Sequence, residues 1–442
     1  MTRHLLIGLI LSLAVSVNVM GQTRNAALPS ASSGVTEFEV NGLKVLVKRR
    51  PGAPTVSAAV YVKGGVNNYS ANEAGIEELT LQVMSEGSAG FPRAVMRREL
   101  SRMGSSVSGS SSFDFGVFAM ASTNENFDRT WKLFSEAALR PEFDGQSIET
   151  VRERILTGLR TQSTSPDGYL DSLSRRVIHR NHPYSKTPFG NIDSISRFNM
   201  GNIREYHSRI MNTSQLLVVV VGDVDIADIR TKIADSFGQL PRGSYSPRGI
   251  PSLMFERPSL EIVPRAVETT YVKGVFSAPG LSNPDYYAMR VAVSFLQMLV
   301  YQEVRNNRNL SYAPNAEMDD FTANSAHIYV TTTDVNQAVS VMLDQIELLK
   351  SAPLEQERFA GLPNFFLTTY YIDNETNAAQ NGELAKYELL GRGWRDAERF
   401  IQNISAVTPE DVQRVAKKYM NNLQFVLVGN PQSTNREIFL RQ

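Results

Sequence analysis

The sequence predicts an α+β fold made of two tandem homologous domains, and three observations carry that expectation. The first is size, because 442 residues with 42% hydrophobic content can build two or more packed cores, whereas a single core rarely grows past a few hundred residues. The second is an internal repeat. Tyr61-Val62-Lys63-Gly64-Gly65 returns as Tyr271-Val272-Lys273-Gly274-Val275 at an offset of 210 (271 − 61). Met211-Asn212 before the apolar run Leu216 to Val221 returns as Met420-Asn421 before Gln424 to Val428 at 209 (420 − 211), and Gly222 matches Gly429 at 207 (429 − 222). Three matches in one order at nearly one offset signal a duplication. The third is the mixture of hairpin-like strands with separated helical patterns, which favours α+β over a doubly wound parallel sheet.

Residues 1–21 read as a cleavable secretory signal: Arg3 and His4 precede an apolar run from Leu5 to Val15, and small residues around Val19 and Gly21 precede Gln22. The run falls well short of the roughly 20 residues that span a bilayer, and no later segment reads as transmembrane. With no cysteine the mature chain has neither disulfides nor a lipid-modified cysteine, and a secreted, Gram-negative periplasmic location is expected. Lys+Arg and Asp+Glu stand at 45 each, so no bulk field gathers nucleic acid or anionic lipid.

Thr36 to Lys48 and Thr55 to Val62 read as strands around a turn at Pro51-Gly52-Ala53-Pro54, and Glu73 to Glu86 as a helix with Ile76, Leu79 and Val83 on one face. Gly104 to Ser112, rich in serine ahead of the alternating Phe113, Phe115 and Val117, reads as a small-residue strand or loop lining a cleft, or equally as a plain surface loop. Prolines and glycines from Pro241 to Pro251 suit an exposed linker, which sets the first domain at 34–238, the linker at 239–255 and the second domain at 256–435. Near the end, Thr408-Pro409-Glu410-Asp411 opens a helix with a capping hydroxyl, a first-turn proline and first-turn acids.

The run from Ala74 to Ser88 (Ala74-Gly75-Ile76-Glu77-Glu78-Leu79-Thr80-Leu81-Gln82 and onward) resembles the inverted-zincin helix of the insulinase/pitrilysin zinc peptidases. Supporting resemblances are Tyr61 to Gly65, His182-Pro183-Tyr184 with Phe189-Gly190, Val220 to Asp225, and Val407 to Val412. They span nearly the whole mature chain. The resemblance implies two similar domains, each a mostly antiparallel sheet packed with helices, that close as a clamshell around peptide.

In that frame Glu78 stands for the first ligand histidine, Leu81 for the general-base glutamate and Gln82 for the second histidine. Two imidazoles at i and i+4 would present both nitrogens to one tetrahedral ion. A glutamate and an amide keep the spacing without the chemistry, and Leu81 has no atom that could take a proton from a metal-bound water. Hydrolysis by the family mechanism is therefore not expected of this chain, and no zinc cofactor is assigned to it. The five histidines (His4, His179, His182, His207 and His327) contain no i,i+4 pair. Glu149 or Glu153, Glu153 foremost, is the candidate remnant of the family's distant third ligand, with an ordinary exposed glutamate as the plain alternative.

In the second domain Arg305 and Tyr312, seven residues apart (312 − 305), resemble the family pair that reaches toward the substrate backbone. They are the candidate substrate-binding residues, since a guanidinium and a phenol can donate to a peptide carbonyl. A helix-capping arginine and a core tyrosine are the alternative. The glycines usual before this segment are replaced by Ser294-Phe295-Leu296-Gln297-Met298, so more helix is expected there.

A lost metal helix beside a retained Arg/Tyr pair resembles the non-catalytic partner of two-chain members such as the mitochondrial processing peptidase. The resemblance implies a peptide-holding subunit of a zinc-peptidase heterodimer, whose homologous partner carries the intact motif and the zinc. A stand-alone peptide-binding or scaffold protein, gripping extended or unfolded chains by strand addition, is the second reading. A third is an autonomous hydrolase holding a metal with Glu77, Glu78 and Glu153.

Overall fold

A computed structural model describes residues 34–359 and 361–441. The segment read as a signal, residues 1–21, lies outside the described residues.

The first sheet is formed by β1 (Val35–Val40), β2 (Leu43–Arg49), β3 (Thr55–Lys63), β4 (Ser106–Ser111), β5 (Phe115–Thr123) and β6 (Leu216–Gly222), in the order β1-β2-β6-β3-β5-β4. The stretch Thr36 to Lys48, expected as continuous strand, is a hairpin. Asn41 and Gly42 turn it with φ of 49° and 79°, the left-handed conformations that an Asn-Gly turn supplies at little cost. The second sheet is formed by β7 (Ser259–Pro264), β8 (Thr270–Ser277), β9 (Asn315–Met318), β10 (Ser325–Thr332) and β11 (Gln424–Gly429), in the order β7-β11-β8-β10-β9. Once β2, β6, β3, β5 and β4 are matched to β7, β11, β8, β10 and β9, the two orders are the same. Each sheet is antiparallel except for one parallel pair, β2 with β6 and β7 with β11.

The helices that shape the site are α1 (Ile76–Met84), α2 (Arg93–Met103), α3 (Phe127–Leu139), α4 (Gly145–Thr164), α5 (Pro166–Ile178), α6 (Met200–Ile210) and α7 (Ile226–Ala234) in the first half. In the second half they are α8 (Tyr286–Val300), α9 (Val335–Ser351), α10 (Asn377–Leu390) and α11 (Pro409–Tyr419). The duplication reaches the caps. Ser165 and Thr376, 211 apart (376 − 165), cap α5 and α10, while Asn199 and Thr408, 209 apart (408 − 199), cap α6 and α11. Satisfying the orphan N–H groups of the first turn at the same place in each half sets each helix start.

The helices α5 and α10 change sides. α5 of the first half lies on β8 and β11 of the second sheet, and α10 of the second half lies on β3 and β6 of the first. Both faces of β6 are therefore covered, which explains why Leu216 to Val221 is fully buried and continuously apolar. Val218 and Val220 pack with Phe118 and Phe134, whereas Leu217, Val219 and Val221 pack with Leu384, Ala385 and Trp394. The α10 contact also carries a buried amide. Asn381 accepts from the Tyr61 hydroxyl at 2.8 Å and donates to the carbonyls of Val219 at 2.8 Å and Ser57 at 3.3 Å, so its polar atoms are satisfied inside an apolar layer.

A second clasp joins the halves through Asp114, whose carboxylate accepts from the Tyr184 hydroxyl at 2.5 Å and from the Thr322 N–H at 3.0 Å. The Tyr184 oxygen in turn accepts from the Ala323 N–H at 3.2 Å.

The connecting segment is largely exposed, as its prolines and glycines suggest. Residues 241–258 form neither helix nor strand, yet they are strapped to the first half. Thr213 and Ser214 donate to the carbonyls of Pro241 and Arg242, and His182 Nε2 lies 2.8 Å from the Pro251 oxygen. Leu253 is buried in the first core.

Candidate functional site

Helix α1 is shorter than the pattern from Glu73 to Glu86 suggests, because Gly75 takes φ of 89° and the chain enters the helix only at Ile76. A Cβ at Gly75 would stand 2.7 Å from Gly190 Cα, so the position requires glycine. Helix and strand meet closely at the other end: a Cβ on Gly109 of β4 would stand 2.3 Å from the Leu81 carbonyl oxygen. Gly104 to Ser112 thus contains a true strand, and its small residues are what let β4 approach α1.

The three degenerate positions sit in and around a closed polar ladder. Glu78, 5% exposed, accepts the Ser111 N–H at 2.6 Å through one oxygen and the Gln82 amide at 2.5 Å through the other. The Gln82 oxygen accepts from Arg154 Nη2 at 3.0 Å and Nε at 3.2 Å. Arg154 Nη1 also stands 3.4 Å from Glu86, whose other oxygen accepts from Arg93 Nε at 2.9 Å. Leu81 is fully buried in the core.

These residues do not fit a zinc ion. Both Glu78 oxygens are engaged within the protein, Gln82 offers one already engaged amide oxygen, and a permanent guanidinium stands beside it, where it would repel a dication. Among the described residues no group of three His, Cys, Asp or Glu side chains could hold a metal.

Arg154, not Glu153, is the α4 residue that reaches α1. Glu153 is 63% exposed and pairs with Arg160 at 3.7 Å, and Glu149 pairs with Arg152 at the surface. The reason is helical phase. Ile148, Val151 and Ile155 form the buried stripe of α4, and at about 100° per residue Glu153 points away from it while Arg154 lies on its flank. The apolar spacing of α4 carries that phase. The carboxylates Glu77, Glu78 and Glu153 are accordingly not gathered into one cluster.

Glu77 points inward. Fully buried, it accepts from the Tyr206 hydroxyl at 2.5 Å, the Ser111 hydroxyl at 2.8 Å and the Asn68 amide at 3.3 Å. Burial pushes its carboxyl up to about 7, against the pull of those donors. Burial likewise raises Glu78. The sequence marks Glu77 only as a would-be metal ligand, and no local pattern announces a buried carboxylate.

Arg305 and Tyr312 meet each other. As the missing glycines suggest, α8 runs unbroken to Val300 and passes into a π-helical turn, Tyr301–Asn307, that carries Arg305. Arg305 Nη1 donates to the Tyr312 carbonyl at 2.8 Å, and the guanidinium lies over the rings of Tyr312 at 4.0 Å and Tyr301 at 5.0 Å. Tyr312 is 80% exposed, so it is no core tyrosine. Among the described residues, the partners of these two side chains do not include α1 or β4.

The four histidines among the described residues are structural. His182 caps Tyr184 N–H through Nδ1 at 3.1 Å, His207 bonds the Ala138 carbonyl at 2.8 Å, and burial pushes His179 and His327 down to about 3.

Beside the ladder lies an open groove of about 620 Å³ between α1, α2, α4 and β4. β4 is the last strand of its sheet, so one of its edges is unpaired.

Comparison with known proteins agrees with this fold. Residues 44–187 match the insulinase (peptidase family M16) model and residues 197–362 match the peptidase M16 inactive domain model. An uncharacterized zinc protease of Mycobacterium leprae is 20% identical over 92% of this chain and 94% of its own. The non-peptidase homolog YmxG of Helicobacter pylori is 20% identical over 90% of this chain and 95% of its own. A probable mitochondrial-processing peptidase subunit alpha of Schizosaccharomyces pombe is 21% identical over 91% and 83%. In fold, the chain is similar to a peptidase M16 inactive domain from Pseudomonas fluorescens, with a TM-score of 0.82 at 19% identity over 90% of this chain and 98% of that one. It is also similar to the first half of the periplasmic protease PqqL of Escherichia coli, with a TM-score of 0.75 at 15% identity over 94% and 97%. The chain belongs to the insulinase family, peptidase family M16, as an inactive-type homologue.

Proposed function

We propose that this chain is the non-catalytic, peptide-holding subunit of a periplasmic zinc-metallopeptidase heterodimer of the insulinase type. The observation that carries the reading is the self-satisfied ladder from Glu78 through Gln82 and Arg154 to Glu86, standing where metal chemistry would be and next to an unpaired edge strand. An edge strand beside an open groove can receive an extended peptide as one more strand, with main-chain hydrogen bonds supplying affinity. Zinc and the general base would then come from a homologous partner chain. Arg305 and the exposed Tyr312 would donate to the peptide backbone.

The similarity to a non-peptidase homolog and to a processing-peptidase alpha subunit supports the subunit reading, and the likeness to a periplasmic protease supports the location. Among the described residues no helix is long and apolar enough to cross a membrane.

The test is the native mass of the complex isolated from its own cell envelope. One copy of this chain with one different, zinc-carrying chain of similar size is the expected result. A monomer or homo-oligomer would remove the partner and leave a stand-alone peptide-binding protein. In the pair, Arg305→Ala or Tyr312→Ala should lower turnover roughly tenfold or more, as loss of a transition-state donor does, without shifting the melting temperature of this chain. Unchanged turnover in both variants would refute the contact role.

A further inference from the structure

We propose that the groove beside β4 selects extended acidic peptides. The inference rests on the peptide-holding reading and names the class of peptide.

The charge balance of the groove supports it. Its charged lining residues are Arg97, Arg154 and Glu86. Glu86 is 6% exposed and engaged by two guanidiniums, Arg93 at 2.9 Å and Arg154 at 3.4 Å, so it offers a ligand almost no negative surface. Arg97 is exposed, and its side chain has no ion-pair or hydrogen-bond partner among the described residues. Arg154, though it touches Gln82 and Glu86, keeps 53% of its side chain open to solvent. The remaining carboxylates nearby are also engaged: Glu78 with Ser111 and Gln82, Glu99 with Arg129 and Arg102, Glu153 with Arg160.

A cleft walled by one sign of charge focuses its field into the space a ligand would fill. The whole chain is neutral, 45 basic against 45 acidic residues, so this excess is local to the groove. The β4 wall contributes Ser106 and Ser108, which bring hydroxyls and no charge of their own. A peptide added along β4 would carry alternate side chains toward Arg97 and Arg154, where aspartate and glutamate gain charge-assisted hydrogen bonds and lysine and arginine are repelled.

The test uses the full chain and three fluorescent peptides of equal length, about ten residues each, differing only in acidic, neutral or basic alternate positions. Binding is read by anisotropy. The acidic peptide should bind roughly tenfold tighter than the neutral one at low salt, and the advantage should shrink several-fold when salt shortens the Debye length from about 14 Å to about 4 Å. Arg97→Glu, on an exposed helix face, should abolish the preference without altering the melting temperature, and Arg97→Lys should retain most of it. Equal binding of all three peptides, or a preference for the basic one, overturns the acidic selection and leaves peptide holding intact. Absence of binding by any of the three overturns both.

Discussion

The buried carboxyl of Glu77 makes the stability of this fold pH-dependent in a direction opposite to that of most acids. Its folded value is pushed up to about 7, from an ordinary 4.5, chiefly by burial. Between those two values the native state holds a proton that the unfolded chain has released. The stabilisation from neutral Glu77 is therefore fully present below the unfolded value and is lost as pH rises through about 7. A shift of about 2.5 units at 1.36 kcal/mol each amounts to about 3 kcal/mol. Glu77→Gln keeps one acceptor oxygen, for either the Tyr206 or the Ser111 hydroxyl, mimics the neutral acid and cannot ionise. Urea unfolding followed by far-ultraviolet circular dichroism at about pH 5 and about pH 8.5 should show the wild type losing up to about 3 kcal/mol relative to the variant on going from the lower to the higher pH. A wild-type-minus-variant difference that stays constant across that range would refute the reasoning, since it would mean that Glu77 is equally charged in both states.

Rebuilding the metal helix with Glu78→His, Leu81→Glu and Gln82→His should not restore stoichiometric zinc, because Arg154 still stands at the second-ligand position and Ser111 N–H loses its carboxylate acceptor. Adding Arg154→Glu should raise the zinc content measured after dialysis, and tight zinc in the triple variant alone would contradict this. Asn381→Leu should cost about 2–4 kcal/mol in urea unfolding, since it strands the Tyr61 hydroxyl and the Val219 carbonyl away from water. A change under about 1 kcal/mol would mean that α10 is not held to the first sheet by this amide.

Several features of the site are legible in the sequence. The helix that carries Glu78, Leu81 and Gln82 follows from its apolar spacing, whereas their frame is what the family resemblance implies, and Glu78 and Gln82 do touch at i and i+4. The start of α11 at Thr408 is readable because capping is a local competition for orphan N–H groups. The Asn41-Gly42 turn carries an equally local signal, yet strand-like alternation on either side of it masks the break and makes the stretch read as one strand. Arg154 is hidden for a related reason. It can be placed only once the buried stripe of α4 sets the phase of that helix, one residue away from the glutamate that the family resemblance implies.

By itself the sequence determined the duplication, the α+β class and the helix that carries Glu78, Leu81 and Gln82, because each is written in residue type, periodicity or offset along the chain. The tertiary structure alone decided that α5 and α10 exchange sheets, that the connecting segment is strapped down, that Glu77 turns inward and that Arg154 closes the ladder. These depend on which surfaces meet across 72 residues of chain for Arg154 with Gln82 and 324 for Asn381 with Ser57. Local propensity carries no information about such pairings; only the packing of buried faces against one another selects among them.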